Sequence, residues 1–424
     1  MNIKRLKGTQ DILPQDAGLW QKIEAKARKL FSVYGYKEIR TPIIEEASLF
    51  TRSVGKESDI VKKQIYTFMD QGNRNVCLRP EETASVCRAY IENQLDKTGG
   101  FVKLFYVGPM FRSERPQAGR FRQFHQIGVE AIGSYSVNLD AEVLMLLNDI
   151  LKNAGISEYV FHINSLGCEK DKAAIKDKLK KDLENDINSL CEDCNRRYET
   201  NILRILDCKV ASCRKIVDAV FLSSALCDEC KDKFIQLIAL LDKAKIKYKK
   251  DEKLVRGLDY YTGIVFEVKV KSFSAQDAIA AGGRYDNLVA DLGGQPTGAT
   301  GFAIGMERVI EAIKGESKSA GNACGSDMVF IITLGELAYI KGFDILSDLR
   351  KVGIPSDIDY QQKSFKAQMR YANKINARHV IIIGEDELKK GLCILKNMKD
   401  SAQKEIRFDR VVESLVIASK AKQS

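Results

Sequence analysis

Two arginine-bearing stretches hold the residues whose types and spacing could do chemistry. The first, FRSERPQAGRFRQFHQIGVE from Phe111 to Glu130, places Arg112, Arg115, Arg120 and Arg122 between the strand-like runs FVKLFYVG and IGVEAIG. Side chains alternate along an extended strand, so Gln126 and Glu130 share a face with the even-numbered arginines. Guanidinium forks grip phosphate and carboxylate oxygens bidentately and stay charged when partly buried. The pattern predicts a polyanion site on a hairpin turning through Pro116–Gly119. The competing reading is an edge hairpin whose charge only keeps it soluble. Against that, Gln126 and Glu130 lie in an otherwise apolar return strand, where an unpaired polar group costs about 1–3 kcal/mol.

The second stretch, LVRGLDYYTGIVFEV from Leu254 to Val268, sets Gly257 beside Arg256 and follows with Tyr260 and Tyr261, two ring faces with hydroxyl tips. Upstream, LRPEETASVCRAYIEN puts Glu81 and Glu82 at the positive end of a helix through Ala84–Glu92, with Thr83 read as its cap. Downstream, AGGRYDNLVADLGG carries Tyr285, and GFAIGMERVIEAI sets Arg308 at a strand-to-helix junction, a position where a single arginine is commonly surface charge.

Together these strings resemble the class II aminoacyl-tRNA synthetases. FRSERPQAGRFRQFHQ is similar to their motif 2, and its wording to that of the histidyl-tRNA synthetase family. YKEIRTPIIEEASLF resembles motif 1, the dimer-forming element, and GFAIGMERVIEAI resembles motif 3. LVRGLDYYTGIVFEV and AGGRYDNLVADLGG look like the two histidine-specific motifs. The resemblance implies an α+β catalytic domain with an antiparallel sheet, a helical insertion domain and a C-terminal α/β anticodon-binding domain. It also implies a homodimer that activates L-histidine with ATP to histidyl-adenylate and pyrophosphate, then transfers the histidyl group to the 3′ end of tRNA(His).

Residue roles follow from the same resemblance. Arg112 and Arg256 would hold the histidine carboxylate and the α-phosphate, with Arg256 stabilising the transition state. Arg120 and Arg308 would hold the distal phosphates of ATP with Mg²⁺. Glu81, Thr83 and Gln126 would bind the α-amino group, the span 81–83 lining the pocket with Glu82 where relatives usually carry glycine. Glu130 and Tyr261 would meet the imidazole, Tyr260 and Tyr285 would shape the pocket, and Arg115 and Gln117 would contact the tRNA acceptor end. Displacement at a phosphorus centre needs alignment and charge neutralisation more than a covalent protein nucleophile. The alternatives are a non-catalytic, synthetase-like regulatory subunit of ATP phosphoribosyltransferase and a nucleic-acid-binding module without catalysis. Retention of Arg256, the GLDYY string and a C-terminal α/β pattern argues against the first; the glutamates in apolar surroundings argue against the second.

The elements that must position these groups are legible as periodicity. Leu19, Trp20, Ile23, Ala27, Leu30 and Phe31 recur at helical spacing over Gln15–Val33, and a second apolar stripe runs from Asn138 to a closing Gly155. The expected divisions are 1–168 and 251–315 for the catalytic domain, 169–250 for the insertion, 316–327 for a Gly/Ser/Lys linker, and 328–424 for the anticodon-binding domain, its end frayed beyond Leu415. Two or three domains suit a chain of 424 residues with 45% hydrophobic and 29% charged residues. The net charge of +10 suits a polyanionic partner. No apolar run is long enough for a bilayer and MNIKRLKGTQDILP lacks a signal-peptide core, so a cytoplasmic location with no membrane association is expected.

Six cysteines cluster in the insertion: Cys191, Cys194, Cys208, Cys213, Cys227 and Cys230. CEDC and CDEC have the local spacing of a zinc ribbon, Cys208 and Cys213 offering further ligands. Reduced thiols are the favoured reading and zinc the lesser one. His125 and His162 lack ligand spacing and read as structural.

Overall fold

The computed structural model describes residues 3–55, 58, 60–116, 119–220, 226–270, 278–316 and 326–420, and the chain divides into two compact units, Met1–Ser319 and Ala320–Ser424. The first unit carries strands β1 (Lys37–Glu38), β2 (Ile44–Glu46), β3 (Tyr66–Met69), β4 (Asn75–Leu78), β5 (Val102–Phe111), β6 (Gln123–Ile132), β7 (Tyr159–Ser165), β8 (Tyr248–Lys250), β9 (Thr262–Val270), β10 (Ala278–Arg284) and β11 (Ala299–Gly305). Eight of them form one sheet in the order β1-β5-β6-β11-β10-β9-β7-β8. Its six inner strands pair antiparallel, and the short edge strands β1 and β8 pair parallel.

Alternation sorts the two faces of this sheet. Along β6, Ile127, Val129 and Ala131 join an apolar core under the helices Pro14–Val33, Val137–Ala154, Asp228–Lys243 and Met306–Glu316. Ile132 joins the core on the opposite face, among the helix Thr83–Glu92 and the insertion helices, and the residues of even number carry Gln126 and Glu130 there too. One side of the sheet is therefore scaffold. The other holds the candidate chemistry.

The helix Pro14–Val33 begins with proline in its first turn, where no intrahelical N–H is needed, and buries Trp20, Ile23, Ala27 and Phe31. The helix Val137–Ala154 has Ser136 as its cap and ends at Gly155 in the left-handed region, as the sequence pattern predicts. The segment 169–250 splits between the two cores. Its earlier helices bury Leu179, Leu183, Ile205 and Leu206 against the pocket side, whereas Leu237, Leu241 and Ile246 pack on the scaffold side and Tyr248–Lys250 extends the main sheet.

The second unit is a five-stranded mixed sheet, Ser356–Ile358, Ser326–Thr333, Ala377–Ile383, Leu392–Asn397 and Gln403–Arg407 in spatial order, with helices on both faces. Its last helix runs Val411–Lys420, so the described residues after Leu415 are helical where the sequence pattern predicts fraying. Val411 and Leu415, four apart, both bury into the core and hold the final turns in register.

Candidate active site

The site is built where the start of the helix Thr83–Glu92 meets the open face of β6. First-turn N–H groups of a helix have no intrahelical acceptor and favour a negative partner. Glu81 supplies it, one carboxylate accepting from the backbone N–H of Thr83 (2.7 Å) and of Ala84 (3.0 Å). Thr83 is therefore not the cap the sequence pattern suggests; it is the first helical residue, and its hydroxyl is released for another use. It donates to Glu130 Oε1 at 2.6 Å. The Tyr285 hydroxyl donates to Glu130 Oε2, and Glu130 is 1% exposed.

Burial pushes the Glu130 carboxyl up to about 8, although both hydroxyl donors favour its ionised form. Burial likewise raises Glu81, partly offset by the N–H donors and by Arg112. On the neighbouring strand Gly301 pairs in register with Glu130, and a side-chain carbon there would sit 2.1 Å from Glu130 Oε2. The carboxyl lies over the glycine backbone, so only glycine fits opposite it.

Glu82 points elsewhere. Its carboxylate takes Arg79 Nη1 at 2.9 Å and the Thr41 hydroxyl at 2.7 Å, and burial lifts its pKa to about 7 despite the arginine. Arg79 also donates to the carbonyls of Pro109 (3.1 Å) and Thr41 (3.0 Å). The Glu82 side chain thus joins a buried ion pair with Arg79.

Arg112 leaves the end of β5, donates from Nε to the Pro80 carbonyl at 2.9 Å, and lies over the Phe124 ring at 5.1 Å. Burial lowers its pKa, and the charge of Arg256 acts in the same direction, so the two guanidinium groups face one region. Burial also works against the charge on Arg256, but Glu267, with which it forms an ion pair, raises its pKa overall. Two buried polar atoms at this site, Arg256 Nε and Gln126 Oε1, have no protein partner. Tyr260 packs 4.8 Å from Tyr261 and 5.8 Å from Tyr285, and its hydroxyl donates to Glu81 Oε2 at 3.4 Å.

The hairpin loop brings in the remaining arginines. Arg120 Nη1 donates to Glu114 at 3.3 Å, and Glu114 also acts on the charge of Arg112. Arg308 donates from Nε to the Gly119 carbonyl at 3.0 Å and from Nη1 to the Ala278 carbonyl at 2.5 Å, tying the hairpin to β10. Arg122 donates from Nε to the Glu114 carbonyl at 3.4 Å. Arg115 is exposed, and Gln117 lies outside the described residues. Beside Arg256 and Tyr261 opens a cavity of about 430 Å³ whose wall includes Lys172, Lys176, Lys180 and Arg204 of the insertion.

Sequence reasoning passed over three partners. Glu267 stands in a mostly apolar strand that also carries Lys269, a weaker form of the signal at Glu130. Glu114 sits inside the arginine-rich loop, and Arg79 stands three residues before Glu82. His125 Nδ1 lies 3.0 Å from Glu307 and its ring packs edge-on to Trp20 at 5.0 Å; His162 Nδ1 lies 3.2 Å from Asp251. Both histidines are occupied in holding elements together.

The cysteines do not pair as CEDC with CDEC. Cys191, Cys194, Cys208 and Cys213 gather in one group, whereas Cys227 and Cys230 gather with Cys168 and Asp171. The helix after Cys227 is anchored on the scaffold side by Leu237 and Leu241, which carries CDEC to the start of the helix Glu169–Leu183.

The site joins two buried carboxyl groups through one threonine, with three tyrosine rings packed beside them. The family model described as histidyl-tRNA synthetase matches residues 8–309, and that described as anticodon binding domain matches residues 328–416. A histidine–tRNA ligase of Thermosipho melanesiensis is 48% identical over 96% of this chain and 97% of its own. Another, of Desulfitobacterium hafniense, is 48% identical over 97% and 98%. The crystal structure of apo S. aureus histidyl-tRNA synthetase superposes with a TM-score of 0.82 at 36% identity, covering 98% of this chain and all of that one.

Proposed function

Because the chain belongs to the histidyl-tRNA synthetase family, we propose that the pocket between Glu81, Glu130 and the Arg112–Arg256 pair is where it does that family's chemistry. The protein is an ATP-dependent histidine–tRNA ligase: it activates L-histidine with ATP, releasing pyrophosphate, and transfers the histidyl group to tRNA(His). The observation that supports this location is the Glu81–Thr83–Glu130 chain, which spaces two buried carboxyl groups for the two nitrogen-bearing ends of histidine.

In this reading Glu81 and Thr83, with the otherwise unmatched Gln126 amide oxygen, receive the α-ammonium group. The backbone of 81–83 lines the pocket, and Glu82 acts from behind through Arg79. Glu130 accepts an imidazole N–H on a lone pair that Thr83 and Tyr285 leave open, and Tyr261 meets the other ring nitrogen. Tyr260 and Tyr285 close the walls. A site with buried polar groups placed for imidazole rejects amino acids that leave them unpaired.

The histidine carboxylate then lies toward Arg112 and Arg256. Two cations in one desolvated region bring carboxylate and α-phosphate together and disperse the charge that builds as the oxygen attacks phosphorus. The new bond is carboxylate oxygen to α-phosphorus; the bond broken is that to the departing pyrophosphate. Arg256 carries the catalytic role because its Nε is buried without a protein acceptor. Arg120 and Arg308 hold the distal phosphates, whose Mg²⁺ arrives with ATP. Arg115 and Gln117 contact the acceptor end of the tRNA, and the C-terminal unit, matched by the anticodon-binding family, takes the other end.

The regulatory-subunit alternative has less support, since relatives 48% identical over nearly the whole chain are ligases. Homodimerisation is supported by the exposed apolar residues of the three-stranded sheet β2-β4-β3, to which the motif 1 stretch contributes β2: Ile44 there, and Phe68 and Met69 on β3. No helix among the described residues is long and apolar enough to cross a membrane, and we place the protein in the cytoplasm. Aminoacylation of a tRNA(His) transcript tests the function: charging with histidine is expected, and charging with another amino acid, or none with any, would refute it.

A further inference from the structure

We infer that Cys191, Cys194, Cys208 and Cys213 form a structural zinc site that fastens the insertion against the segment carrying Arg256. Their four Sγ atoms all lie within 4.8 Å of one another, and Cys191 Sγ and Cys208 Sγ are 3.8 Å apart. Four thiolates at about 2.3 Å from a tetrahedral zinc stand about 3.8 Å from each other, so the cage has the dimensions of the ion. A disulfide would bring two of the sulfurs to about 2.05 Å, and all four are free thiols.

Buried free cysteines often act as small apolar groups, but apolar packing gives no reason for four sulfurs from separate elements to converge. Cys191 caps the helix Glu192–Thr200 and Cys194 lies in its first turn. Cys208 follows the turn Ile202–Asp207, and Cys213 lies in the first turn of Ala211–Asp218. Cys191 and Cys194 thus sit at the start of one helix and Cys213 at the start of another, so three short elements deliver the four sulfurs to one point. The Cys191 backbone N–H donates to Cys213 Sγ at 3.1 Å. Cys194, Cys208 and Cys213 are buried, with no carboxylate in the group, and an all-sulfur set selects zinc over magnesium or calcium.

The chain held between the two halves of the cage is the part of the insertion that touches the catalytic string. Asn201 Nδ2 donates to Asp259 Oδ1 at 2.9 Å, and the Arg204 guanidinium lies over Gly257, next to Arg256. Ile202, Leu203, Ile205 and Leu206 are buried in the same core as Tyr260 and Tyr261. Zinc here crosslinks residues 191–213 and so stiffens one wall of the cavity beside Arg256 and Tyr261. The second group differs: Cys168 and Cys227 are exposed and the set includes a carboxylate, Asp171, which accepts the backbone N–H groups of Cys227 at 2.9 Å and Cys168 at 3.1 Å.

The test is the metal content of the full chain, purified from zinc-supplemented cells without chelator. The Cys208→Ser/Cys213→Ser double variant is expected to hold about one equivalent of zinc less than the parent. Equal zinc in both, or a parent below about a tenth of an equivalent, overturns the proposal. Should the double variant fail to fold, alkylation mapping of the parent decides: zinc is expected to protect Cys194, Cys208 and Cys213 from iodoacetamide, and stripping with a chelator to expose them together with protease cleavage between Asn195 and Asp207. Identical labelling with and without zinc overturns it, as does a disulfide among these four cysteines in the untreated protein.

Discussion

Thr83 Oγ1 donates to Glu130 Oε1 at 2.6 Å, joining a helix N-terminus to a sheet strand 47 residues away in sequence. The bond exists because Glu81 has taken over capping, and it leaves the Glu130 carboxyl oriented although it is cut off from water. Thr83→Val keeps the shape and removes the donor, which leaves a buried acceptor short of a partner. The expected cost is about 1–3 kcal/mol of stability, read by urea unfolding, together with a raised KM for histidine in pyrophosphate exchange. Thr83→Ser should restore both, and equal loss in the valine and serine variants would contradict this role.

A buried carboxyl gives a pH signature. Before substrate binds, burial raises the folded Glu130 carboxyl to about 8, whereas the ordinary value near 4.5 applies to the unfolded chain. The folded state therefore binds the extra proton between those values. The contribution is fully present below the unfolded pKa and is lost as the pH rises through the folded one. Glu82, raised to about 7, acts in the same direction. Unfolding free energy measured by urea from about pH 5 to about pH 8.5 should fall less steeply in Glu130→Gln than in the parent; parallel profiles would refute the assignment.

How much of this was readable in advance depends on which physical signal each feature leaves. A charge in an otherwise apolar strand marks Glu130, whereas Glu267 shares its strand with Lys269 and stands out less. Alternation placed Gln126 and Glu130 on one face, and β6 has that face. The identity of the helix cap was not readable, because Glu81, Glu82 and Thr83 are all plausible acceptors and only the backbone's approach decides. The cysteine grouping was hidden for a different reason. CxxC spacing reports which sulfurs are near in sequence, but the anchoring of Leu237 and Leu241 on the far side of the sheet decides which are near in space. The final helix was missed because two buried residues, Val411 and Leu415, suffice to dock it and leave little periodicity.

Arg256 is held by Glu267 on one side and presents an unpartnered Nε on the other. Lysine keeps the charge but not the fork. Arg256→Lys is therefore expected to lower the single-turnover rate of adenylate formation by about 10²–10³, with a smaller change in ATP affinity. Rapid-quench measurement checks this, and a rate within a few-fold of the parent would show that the fork is not used.

Phe68 and Met69, on an edge strand of the small sheet, are 45% and 59% exposed. If that sheet is the dimer contact, Phe68→Glu/Met69→Glu should shift the protein from dimer to monomer in sedimentation experiments while its circular dichroism stays native. A parent already monomeric, or a variant still dimeric, would place the contact elsewhere.

The central claim is that histidine is activated in the pocket ending at Glu130, beside the paired arginines. Histidine-dependent exchange of pyrophosphate into ATP by Glu130→Ala tests it most directly. The expected result is loss of exchange at low histidine with ATP binding retained; exchange close to that of the parent would contradict the account.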